Sequence, residues 1–153
     1  MSFNDGLFNM YREVDELSLL NKLFATLISE RLNLDNYLTN IIITSNYQLK
    51  ENISNMSFII SDAIENTKTL IKIKNGYPIF KLDDIELISI IKTKVSIAYK
   101  ENIVLENIKE EINTLINLIK EILTKLNDNK NYEIITILAN ISLDLKRLLL
   151  DLS

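Results

Sequence analysis

The chain has no cysteine, no histidine and no tryptophan, and its 153 residues include two glycines and one proline. Each shortage removes a class of chemistry or architecture. Without cysteine there is no disulfide, no thiolate nucleophile and no zinc–thiolate site. Without histidine the commonest general base and the commonest transition-metal ligand are both gone. Gly6 and Gly76 alone cannot build a glycine-rich phosphate loop or a nucleophile elbow. An all-β chain of this length needs many tight turns rich in glycine and proline, so strands are not expected despite the many isoleucines. No apolar run approaches the roughly 18 residues of a membrane-spanning helix. The opening MSFNDGLFNM lacks a basic region followed by an apolar core, so no signal peptide is expected and a cytoplasmic, intracellular protein is the default.

What is present is ordinary for a globular protein: 47% hydrophobic residues, 25% charged and a net charge of −4. So mild an acidity gives no general attraction to phosphate-bearing partners. Isoleucine, asparagine and lysine are frequent, and Arg12, Arg31 and Arg147 are the only arginines, which points to a low-GC genome, cellular or viral.

Spacings of three and four organise the chain. Leu7, Met10, Val14, Leu17, Asn21, Phe24 and Ile28 form a first helical series. Leu49, Ile53, Met56, Ile60, Ala63, Thr67 and Leu70 form a second, regular enough for a short coiled coil, with Leu34, Leu38 and Ile42 extending it upstream. A third runs through Ile88, Ile91, Val95 and Ala98, slips in phase near Asn102, and continues as Leu105, Ile108, Ile112, Leu115, Ile119, Ile122 and Leu126. Ile134, Leu138, Ile141, Leu145, Leu148 and Leu152 form the last. Asn33 and Asn36 mark a first boundary and NDNKN at 127–131 a polar turn.

These patterns predict an all-α, antiparallel helical bundle occupying residues 1–153 as one domain. Four helices are expected near 5–32, 34–74, 83–126 and 131–152, the middle two forming a long central hairpin tipped by residues 75–82. If straight, the middle helices run roughly 60–65 Å and project beyond the outer pair. A compact bundle results instead if they break near 45, at the TSN of 44–46, and near 102.

The stretch NGYPIFKLDDIE at 75–86 holds the single proline. Gly76 is expected to supply a left-handed helix cap, Pro78 to stop the helix, and Asp83 with Glu86 to form a capping box for the next one. That explains a turn but not its apolar content. Tyr77, Ile79, Phe80 and Leu82, with Leu87, Ile90 and Ile91 just beyond, form a candidate partner-binding patch, because large exposed apolar patches mark interaction sites. Residues 62–100 also carry seven lysines against five acids. Lys68, Lys72, Lys74, Lys81, Lys92 and Lys94 are therefore candidate polyanion contacts, weakened by interspersed acids and the lack of arginine.

Carboxylate pairs at helical spacing, Glu13/Glu16, Asp62/Glu65 and Glu106/Glu110, read as solvated faces, and a carboxylate–magnesium nucleotide hydrolase is the weaker alternative. Arg12 with Glu16, and Arg147 with Asp144 and Asp151, read as surface pairs, and Tyr37, Tyr47, Tyr99 and Tyr132 as core or rim residues. No cofactor, catalytic residue or metal ligand is expected. The leading expectation is a non-catalytic helical interaction protein, self-associating or a small subunit of a larger complex, whose partner is a protein rather than nucleic acid or a membrane.

Overall fold

A computed structural model of the chain describes residues 3–39, 43, 45–79, 101–126 and 132–152. They form four helices: α1 (Phe3–Leu38), α2 (Tyr47–Ile73), α3 (Glu101–Lys125) and α4 (Tyr132–Asp151). No strand occurs among the described residues. The all-α bundle of four helices read from the periodicity is what forms.

The second and fourth series are buried as read. Leu49, Ile53, Met56, Ile60, Ala63, Thr67 and Leu70 line the inner face of α2, and Ile134, Leu138, Ile141, Leu145 and Leu148 that of α4. Thr67 is accommodated there because its hydroxyl donates to the Ala63 carbonyl, at 2.7 Å, one turn back. On α3 the buried stripe is Val104, Ile108, Ile112, Leu115, Ile119 and Ile122, with Leu105 half-buried beside it.

The first helix departs from the reading in phase and in length. Its innermost stripe is Glu16, Leu20, Leu23, Leu27, Glu30, Leu34 and Tyr37, one position off the expected series. Two glutamates on the core face made that stripe look polar in sequence. Phe24 is also buried, while Leu17 and Ile28 are half-buried, because α1 packs against both α2 and α3 and so presents a wide face. Asn33 does not end the helix: it is buried within it, and α1 runs on to Leu38, taking in Leu34 and Leu38 from the upstream extension of the second series.

The break falls instead at 39–46. Thr39 bonds back to the Asn36 carbonyl through its amide at 3.2 Å and its hydroxyl at 2.7 Å. Asn46, in extended conformation, caps α2 by accepting from the Leu49 amide at 3.1 Å, a contact type that contributes about 1 kcal/mol. Buried Ile43 seals this end of the core.

Cross-helix contacts fix the directions. Lys74 reaches Glu16, so α2 runs antiparallel to α1. Lys125 reaches Asp15 while Asn33 reaches Glu111, so α3 is antiparallel to α1 as well. The C-terminal ends of α2 and α3 therefore lie together at the N-terminal end of α1, and α2 and α3 are parallel. Helix α4 packs on α3 after a short link, which makes that pair antiparallel, and also on α2. Around the bundle the order is α1, α2, α4, α3, with antiparallel neighbours. Of the two arrangements read from sequence, this is the compact one with breaks. A straight hairpin puts the start of the third helix beside Ile73, whereas here it is the end of that helix that lies there. Residues 80–100, which hold the Asp83/Glu86 capping box and the first part of the third series, lie outside the described residues, as do 127–131.

The end of α2 is a Schellman turn. The Asn75 amide donates to the Lys72 carbonyl and the Gly76 amide to the Ile71 carbonyl, both at 2.9 Å. The left-handed residue is Asn75, with φ of 61°, and not Gly76 as expected. Glycine is needed at 76 for space, since a Cβ there would overlap the Leu17 side chain. Replacing Asn75 by valine should therefore cost about 1–2 kcal/mol, and by glycine nothing. Gly76→Ala should cost about 1 kcal/mol because the tip of Leu17 must move. Urea unfolding followed by circular dichroism reads all three.

Candidate interaction surface

Two side-chain contacts hold residues 74–79 against the first helix. The Lys74 Nζ donates to Glu16 Oε2 at 2.7 Å, with only 15% and 3% of the two side chains exposed. Asn21 serves both strands of the contact: its Nδ2 donates to the Leu17 carbonyl at 3.2 Å and its Oδ1 accepts from the Ile79 amide at 2.8 Å. Backbone is thereby fixed while side chains are not covered. Tyr77 is 85% exposed, Ile79 50% and Ile73, at the end of α2, 41%. Pro78 between them is half-buried. Ile73 belongs to neither the buried series nor the turn motif, and its place beside the tip became visible only with the helix end defined.

Of the partner patch read from sequence, Tyr77 and Ile79 are thus exposed side by side on a fixed backbone. Phe80, Leu82, Leu87, Ile90 and Ile91 lie outside the described residues. Among the lysines, Lys68 pairs with Glu65 at 3.1 Å and Lys74 with Glu16, while Lys72 is exposed. Lys81, Lys92 and Lys94 lie outside the described residues.

The acids divide into two environments. Asp62, Glu65, Glu106 and Glu110 are exposed as read, Glu106 pairing with Lys109 at 3.6 Å. Glu16 is not on a solvated face: it is buried and reaches 58 residues along the chain to Lys74. A second polar group interrupts the core where α1 meets α3. Ser29, Glu30, Asn33 and Tyr37 are buried there, and Asn33 Nδ2 donates to Glu111 Oε1 at the long limit of 3.5 Å. Tyr37 is core, whereas Tyr47 and Tyr132 are exposed, and Tyr99 is outside the described residues. Among the described residues no three acidic side chains converge as metal ligands, and no helix is long and apolar enough to cross a membrane.

At the same end of the bundle, Lys125 donates to Asp15 Oδ2 at 2.6 Å. This hydrogen bond, more than the nearby charges of Asp15 and Glu121, raises the lysine pKa above its ordinary value. The sign follows: its stabilising contribution is full below the ordinary lysine range and lost at higher pH. Both side chains are well exposed, so the effect is small. Arg147 and Asp144 form the expected surface pair at 3.9 Å.

The buried pair carries the testable weight here. Lys74→Met should cost about 3 kcal/mol, because it leaves the Glu16 charge in a dry site without its lysine. The double variant Glu16→Leu/Lys74→Met should recover about 1–3 kcal/mol of that loss. A double-mutant cycle by chemical denaturation measures the difference. Comparison with protein-family models, with characterised proteins and with solved structures gives no match to this chain.

Proposed function

We propose that this is a non-catalytic helical interaction protein, acting in the cytoplasm, that self-associates or serves as a small subunit of a larger complex. The observation that supports this reading is the apolar cluster of Ile73, Tyr77 and Ile79, exposed at the end of α2. Single exposed apolar residues are normal, but a contiguous group is characteristic of contact surfaces. Tyrosine is favoured in such surfaces because it offers a large rigid area and a polar tip. The backbone beneath is already tied to α1 by the Lys74–Glu16 and Ile79–Asn21 bonds. Little ordering cost is then left to oppose binding. Phe80, Leu82, Leu87, Ile90 and Ile91 complete the proposed surface. The lysine-based contact with nucleic acid draws less support, because Lys68 and Lys74 are each matched by a glutamate.

The test is the double variant Tyr77→Ser/Ile79→Ser. Light scattering over a micromolar concentration series should show the weight-average mass falling toward the 17.7 kDa of one chain, or a co-purifying partner should be lost, with helicity unchanged. An unaltered mass and partner profile, with the fold intact, would remove this surface from the proposal.

A further inference from the structure

The bundle consists of two helical pairs joined by one connection. Helices α1 and α2, through Ile79, form the first pair, and α3 with α4 the second. They meet along α1–α3 and α2–α4. Asp15–Lys125 and Asn33–Glu111 cross that junction. Ile79 is bonded to Asn21, near one end of the bundle. Glu101 lies ten residues before Glu111, about 15 Å further along the axis from the level of Asn33, beyond the other end. From the level of Asn21 to that of Glu101 is about 33 Å, counting the rise along α1 as well.

Returning to its own α3 therefore asks two things of the connecting sequence: it must climb the bundle, and it must then reverse. A helical path from Ile79 to Glu101 covers about 33 Å and leaves nothing over for the reversal. The sequence supplies no turn chemistry either. From Ile79 to Leu126 there is no glycine and no proline, and helical periodicity persists on both sides of Asn102 with only a change of phase.

We infer that two copies of this chain exchange their α3–α4 pairs, residues 83–126 running as one helix from the first copy into the second. The directions allow it. A helix that leaves the end of α2 antiparallel to it travels toward the far end of the bundle and past it. A second copy set end to end by a two-fold axis presents its α1 antiparallel to that oncoming segment, which is the relation α1 and α3 have here. Every contact across the junction is then remade between chains, and the exchange closes as a dimer rather than propagating. The contact is separate from the Tyr77/Ile79 patch and does not depend on it.

The chain's lack of cysteine makes the test direct. Asp15 and Lys125 are largely exposed, so Asp15→Cys and Lys125→Cys should leave the fold intact. Full-length chains carrying one substitution each are mixed, unfolded, refolded together and treated with a short bis-maleimide. Exchange predicts a covalent dimer formed from one chain of each kind. It should approach about half of the chains, the share of mixed dimers that random pairing produces. Light scattering should give twice 17.7 kDa. The inference is overturned if the mixture yields no covalent dimer while the doubly substituted chain links only within itself. Adding Tyr77→Ser/Ile79→Ser separates the two proposals: loss of patch-mediated association leaves this cross-link in place, and failure of the cross-link leaves the patch test untouched.

Discussion

Glu16 sits on the core face of α1, where a charge has to be met, and Lys74 meets it from just past the end of α2. Much of the arrangement depends on that pairing. It sets the register of α2 on α1, and it holds the Schellman turn of residues 74–76 against Leu17. It also brings the Ile79 amide within reach of Asn21. An apolar pair at the same place would pack as well or better, but would slide along the helix at smaller cost. A buried ion pair is weak evidence for stability and better evidence for register. Asn33 with Glu111 does the same between α1 and α3, and the two contacts together define which way each neighbour runs.

The bundle's direction pattern follows. With α2 and α3 both antiparallel to α1, the connection between them has to cross the length of the molecule. Four-helix bundles accommodate one such crossover readily. The consequence at the tip is that Tyr77 and Ile79 stand at an end shared by three described elements: the start of α1, the end of α2 and the end of α3. The exposed apolar group lies on a rigid platform, not on a protruding hairpin.

Legibility varied with how cleanly each helix separates its faces. On α2 and α4 the apolar positions alternate by four and three without interruption, and every one of them read between 49 and 70 and between 134 and 152 is buried. On α1 the reading slipped by one position because Glu16 and Glu30 occupy core sites, and it stopped early because Asn33 resembles a helix end. Neither could be corrected locally: a glutamate or asparagine is tolerated inside only if a distant residue meets it, and Lys74 and Glu111 are 58 and 78 residues away. The turn at 75–76 was identified, but the roles within it were exchanged. Asparagine tolerates the left-handed conformation well enough to take it, leaving glycine for the place where Leu17 approaches. Of the candidate surface, Tyr77 and Ile79 were evident as apolar residues in a turn. Ile73 was not, since its exposure depends on where α2 stops.

The residue pattern by itself determined that this chain is helical and which faces of α2, α3 and α4 turn inward, because those follow from local propensity and the 3.6-residue period. It also determined the absence of thiol and imidazole chemistry. Only the tertiary structure decided the extent of α1, the break before Asn46, the parallel course of α2 and α3, and the burial of Glu16 against Lys74. Each of these rests on contacts between residues far apart in the chain, and such contacts leave no periodic trace in either partner's own neighbourhood.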